Sequence, residues 1–351
     1  MNTTDIMTDT TNSQIQSENE LDSEKLSKYL GVLKEIQDKE IKSGELYFVS
    51  STSDSSYILY RGDIKNKVNK KFSAILESTI NQYINAHNNN LLEIIEYNST
   101  NLENTSEDDT IMKLYYLTAK DEGSLPDIPR LPHFIPDKNR SDYKQFIVDK
   151  RAKFWSYIIR IPYGEGDDAI YLFNKASESN ILGRKEHIFH IVDDEYDDLD
   201  KRALALSTTA DCLLIGDTML IFEMGKFESI FRYSEQYIKD IKKKIPELKE
   251  QNKVENVDAL LEYCGTDPRK IRRLDRVLTK KNYSTLTNKQ IKDMVKEYNL
   301  DIKFENEKMV VTKENLLDVM TVLEDYCVET YGNKTKAIMH NGAVVSAPSN
   351  N

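Results

Sequence analysis

The chain has 351 residues, 39% of them hydrophobic, which is length enough for two domains of ordinary size and apolar content enough for a substantial core. Its 59 acidic side chains outnumber 48 basic ones, for a formal charge of -11, which excludes indiscriminate attraction to phosphate backbones or anionic lipid; any nucleic-acid surface must be local. Cys212, Cys264 and Cys327 are odd in number, far apart and form no C-x-x-C pair, which argues against a disulfide framework or zinc site and fits a reducing cytosol.

Residues 1–23 are polar, without the charged and apolar blocks of a signal peptide, and read as a disordered tail. Ser27 to Ile41 has helical spacing, and Glu45 to Val49 and Tyr57 to Tyr60 read as strands. In Val68 to Ala86, Phe72, Ile75, Leu76, Ile80, Tyr83 and Ile84 recur at spacings of three and four, predicting a helix with one buried stripe. Leu91 to Tyr97 and Ile111 to Leu117 look like strands around a polar insertion, completing an α/β domain over 24–122. Residues 123–142 hold four prolines, which break helices and remove ladder donors, and read as a linker.

A larger domain is expected over 143–341, with a disordered tail at 342–351. Phe154 to Pro162 and Ala169 to Phe173 spell a hairpin, as do Cys212 to Ile215 and Met219 to Phe222 around Gly216. A long helix is expected from about Lys226 to Lys249, followed by helices at Val257 to Tyr263, Pro268 to Lys280 and Asn288 to Tyr298. Short strands at Asp301 to Phe304 and Met309 to Val311, a helix at Lys313 to Glu324, and strands at Cys327 to Tyr331 and Lys336 to Met339 close the chain. The fold class is therefore mixed α+β: an N-terminal α/β unit, then a larger mixed-sheet domain with a helical C-terminal half. The most apolar stretch, Ala203 to Met224, is interrupted by Asp211 and Asp217 and does not read as a membrane span.

The strongest local signal is PRKIRRLDRVLTKK. At about 100° per residue, Arg269, Arg272, Arg273, Arg276 and Lys280 project as one stripe and Ile271, Leu274 and Leu278 project oppositely. With Lys270 and Lys281 the segment carries seven cations against one acid, Asp275. Arginine's planar fork suits phosphate oxygens and base edges. A solvated amphipathic face is the commoner origin of such a pattern. The preceding helix adds Lys239, Lys242 and Lys243, with Arg232 and Lys244, and two such helices side by side would frame a groove for a phosphate backbone.

His187, His190, Asp193 and Asp194 have ligand chemistry, but residues three apart on a strand face opposite ways and nothing nearby completes a shell, so no metal is expected. The acidic run from Asp193 to Asp200 reads as a solvated loop. Asp217 and Glu223, followed by Lys226, loosely resemble the Asp, Glu, Lys metal sites of restriction-type nucleases, though Gly225 stands where the lysine normally follows the acid. No phosphate-loop, nucleophile-elbow or dinucleotide motif is present, and no cofactor is expected.

The segments FWSYIIRIPY, DDAIYLFNKAS, DCLLIGDTMLIFEMGKFESIFRYSEQY and ENLLDVMTVLEDYCVETYGNKTKAIMH, in that order, resemble the KwaB proteins of the bacterial Kiwa anti-phage system. The third, in which two apolar strands run into Phe-Glu and a long helix, is the most telling. The resemblance covers a little over half of the chain. It implies a DNA-binding effector that recognises injected phage DNA and stalls its replication and transcription, a homodimer, and the membrane protein KwaA as partner. With the cysteine usage and the missing catalytic motifs, the expectation is a cytoplasmic, non-enzymatic protein that binds double-stranded DNA. Arg269, Lys270, Arg272, Arg273, Arg276, Lys280, Lys281, Lys239, Lys242 and Lys243 are the expected DNA contacts. Charge reversal at the four arginines Arg269, Arg272, Arg273 and Arg276 is expected to leave the fold intact. A metal-dependent nuclease and a pure protein-interaction module are the alternatives.

Overall fold

The structure is a computed structural model that describes residues 31, 34, 44–51, 56–65, 69–98, 110–121, 123–137, 140, 142–146, 154–162, 168–177, 180–182, 189–192, 195–198, 203–329, 336–340 and 343–346. Residues 51, 69, 70, 181–203 and those beyond Cys327 are described by their backbone alone. The architecture is mixed α+β, as expected, and divides into two compact units. The first takes the chain up to Glu96 and Thr110–Phe231; the second takes the chain from Arg232 onward with the segment that starts at Tyr97.

In the first unit the elements run β1 (Glu45–Ser51), β2 (Tyr57–Gly62), α1 (Asn69–Asn88), β3 (Leu92–Glu96), β4 (Met112–Thr118), α2 (Leu131–Phe134), β5 (Ser156–Pro162) and β6 (Ala169–Lys175). Then come β7 (Ile181–Leu182), β8 (Phe189–Val192), β9 (Glu195–Asp198), β10 (Ala203–Leu204), β11 (Cys212–Ile215), β12 (Thr218–Ile221) and α3 (Met224–Ile230). One sheet has the order β2-β1-β5-β6-β11-β12-β4-β3. Only its β3–β4 pair is parallel; β7 pairs with β10 and β8 with β9 as separate ribbons.

Side chains alternate across a strand, so each face of this sheet has its own cover. Helix α1 lays Phe72, Ile75, Leu76, Ile80 and Tyr83 on the face carrying Leu46, Phe48, Tyr157, Ile159, Leu172, Leu213 and Leu220. On the other face Phe173 meets Phe231 at 5.5 Å between ring centroids, and Phe231 in turn meets Phe134 and Phe227, each at 5.3 Å. The β11–β12 turn needs positive φ, and Gly216 supplies it at 55°.

The proline-rich stretch is not where the compact units divide. Strands on either side of it share one sheet, with β1 against β5 and β12 against β4, and Ile128, Leu131 and Phe134 within it are buried. Prolines stop it forming long elements but do not stop it packing. The division falls at Phe231 and Arg232, inside the span expected to be one long helix. Arg232 is left-handed, at φ 55 and ψ 45, and breaks that helix in two. Part of the expected acidic loop is strand β9 instead, and part of the expected C-terminal tail is a strand. Of the helix expected at 27–41, Gly31 and Lys34 are helical and the rest lies outside the described residues, as do the tail at 1–23, His187, Asp193 and Asp194.

The second unit runs α4 (Tyr233–Glu250), α5 (Asp258–Cys264), α6 (Pro268–Lys280), α7 (Asn288–Glu297), β13 (Lys303–Glu305), β14 (Lys308–Val310), α8 (Leu316–Leu323), β15 (Cys327–Glu329), β16 (Lys336–His340) and β17 (Ala343–Ser346). Asn306 and Glu307, both at positive φ, close the β13–β14 hairpin. Helix α6 touches α4, α5 and α8.

Candidate nucleic-acid interface

Helix α6 starts as its sequence dictates. Asp267 caps it by accepting from Arg269 N and Lys270 N, and Pro268 takes the first position, where a missing donor costs nothing. Lys281 ends it in the left-handed region at φ 56. Ile271, Leu274, Val277 and Leu278 are buried, as the apolar stripe requires.

The cationic stripe has a different fate. Arg273 donates from Nε and Nη2 to Glu324 Oε2, at 2.9 and 2.7 Å, and from Nη2 to Thr321 Oγ1. Arg276 donates from Nε and Nη2 to Glu324 Oε1, at 3.0 and 2.7 Å. The Glu324 side chain is 1% exposed, and those of Arg273 and Arg276 are 11% and 9% exposed. One buried carboxylate thus holds two guanidiniums by four charge-assisted hydrogen bonds, which ties α6 to the end of α8. The expectation that both arginines face solvent is wrong, and so is the expectation that reversing them spares the fold: glutamate at either position would face Glu324 in the interior.

Helices α4 and α6 do lie side by side, but the seam between them is not a cationic groove. Lys244 Nζ reaches Asp275 Oδ1 at 2.8 Å and Thr279 Oγ1 at 2.6 Å, and Lys281 Nζ reaches Glu247 Oε1 at 2.6 Å. Burial raises the Asp275 carboxyl above its ordinary value, opposed by the hydrogen bond and charge of Lys244. Burial pushes Asp240 the same way, yet hydrogen bonds from Gln236 and Lys243 outweigh it and hold that carboxyl low. Acids therefore neutralise the seam.

The remaining expected contacts are on the surface. Lys239, Lys242 and Lys243 are exposed, three and four residues apart on the side of α4 away from its buried Tyr237, Ile241, Ile245 and Leu248. Lys243 makes an exposed ion pair with Asp240 at 3.2 Å, a contact worth little in water. Arg269 is exposed; Lys270, Arg272 and Lys280 are half-buried, and Lys280 lies 3.5 Å from the Tyr326 hydroxyl. Glu324 was the missed residue. Its sequence signal is an acid just past the last apolar residue of the LLDVMTVL helix.

The nuclease constellation is not assembled. Asp217 and Glu223 lie beyond opposite ends of β12, on the order of 20 Å apart at the rise of an extended strand. Lys226 pairs instead with the buried Asp211, at 2.9 Å, and Asp211 also accepts from Lys175 N. Among the described residues no group of three or more His, Cys, Asp or Glu side chains is placed to hold a metal ion.

Residues 151–331, more than half of the chain, match the family described as Kiwa protein KwaB-like. The chain belongs to the KwaB-like family. Membership suggests a component of Kiwa anti-phage defence. No curated protein and no solved structure matches the chain. Among the described residues, the KwaB-like region supplies the four central strands of the large sheet, β5, β6, β11 and β12, and every helix of the second unit. The strands preceding it, β1 to β4, flank that centre on both sides.

Proposed function

We propose that this KwaB-like chain is a defence effector that acts by binding double-stranded DNA without strong sequence preference, and that occupying the duplex impedes replication and transcription. The observation that carries the reading is the row Lys239, Lys242 and Lys243, exposed on α4 within the family-matched region, with Arg269 exposed at the start of α6. Lysines of this kind meet phosphates as point charges, and phosphate contacts carry no sequence information, which is why little sequence preference is expected. No helix among the described residues is long and apolar enough to cross a membrane. A KwaA-like membrane protein is proposed as the partner for action at a membrane.

Gel-shift titrations with several duplexes of unrelated sequence test this directly. Similar affinities, falling steeply as salt rises, are expected. Affinity indifferent to salt, or confined to one sequence, contradicts the proposal. Incubating the same duplexes with magnesium or manganese should leave them intact; cleavage would show an enzyme.

A further inference from the structure

We propose that Glu324 is an autoinhibitory residue: its carboxylate occupies the place of a DNA phosphate between Arg273 and Arg276 and holds both out of the binding surface. The inference rests on the DNA-binding reading above and concerns its regulation.

The geometry has three parts. First, the two guanidiniums belong by helical position to the same stripe as Arg269 and Lys280, so they are withdrawn members of a surface row rather than members of the apolar face. Second, a single carboxylate faces two guanidiniums, each donating Nε and Nη2 to one oxygen. That arrangement, arginine forks gathered on one anionic group, is also how arginines hold a phosphate. Stability alone does not call for this, because apolar side chains of similar volume hold such seams as well or better. Third, the chain leaves Glu324 through Asp325, a non-glycine residue at φ 57, which is a left-handed position natural to a chain reversal. The reversal is fastened to the end of α6 by Asn282 Nδ2, which donates to Glu324 O at 2.8 Å. Movement of this junction would withdraw the carboxylate. The long arginine side chains, 11% and 9% exposed with the carboxylate in place, would then extend into solvent beside Arg269.

Glu324→Gln in the full-length protein tests this. Glutamine keeps the shape and removes the charge, leaving two cations facing one amide oxygen. Two added phosphate contacts should steepen the slope of log affinity against log salt by about 1.8, an additional loss of roughly tenfold between about 50 mM and about 200 mM salt. At the lower salt the variant should bind more tightly than the unaltered protein. Adding Arg273→Gln and Arg276→Gln to it should remove the gain. An unchanged slope in folded Glu324→Gln, or a gain that survives loss of both arginines, overturns the inference while leaving the DNA-binding reading standing. Absence of binding by both the unaltered protein and the variant overturns both. If Glu324→Gln does not fold, Glu324→Asp, which keeps the charge and shortens its reach, must show a smaller gain in slope, and no gain there also overturns the inference.

Discussion

Helices α4 and α6 carry similar basic sequence patterns and end in opposite circumstances. The arginines at 273 and 276 are the most suggestive residues in the sequence, yet they serve the interior of the second unit. The plainer lysines of α4 are the ones that reach solvent. The difference lies in the number of neighbours. Helix α4 keeps one side open, whereas α6 is touched by α4, α5 and α8. A helical wheel gives the side on which a residue projects and not what stands there.

Breaking the α6–α8 seam should have the largest effect. Glu324→Ala removes the counter-charge of both arginines and the tie between α6 and the end of α8, and a loss of about 3–5 kcal/mol is expected in chemical denaturation. A loss below about 1 kcal/mol would mean that Glu324 does not tie α6 to α8. Charge reversal of Arg269, exposed on the same helix, should sharpen the contrast: Arg269→Glu is expected to lower DNA affinity about tenfold at low salt with the melting transition unchanged. Equal damage to fold and binding would place Arg269 with the buried pair. The smallest effect is expected away from both helices. Thr287 caps α7 through a reciprocal box with Gln290, so Thr287→Ala should cost about 1 kcal/mol in stability and leave DNA affinity unaltered. A change in affinity there would bring α7 into the interface.

Much of the second unit was legible because its signals are local. Pro268 opens α6, and the apolar spacings give the helices their buried sides. The strands of the large sheet were legible for the same reason, from their β-branched and aromatic runs. What escaped was long-range. Arg276 and Glu324 are separated by 48 residues, and no periodicity within α6 points to a carboxylate at the end of α8. The merging of β1 to β4 into one sheet with β5, β6, β11 and β12 escaped likewise, since proline content reports where elements stop and not which strands pair. The break at Arg232 was hidden because apolar residues continue at helical spacing across it.

The central claim is that DNA is held by the exposed lysines of α4. Its most direct test is a gel-shift salt series on the triple variant Lys239→Glu, Lys242→Glu, Lys243→Glu beside the unaltered protein. Each phosphate-contacting lysine accounts for about one unit of the slope of log affinity against log salt, so the account predicts a slope shallower by about three units with the melting transition unchanged. An unchanged slope and affinity in the folded triple variant would contradict it.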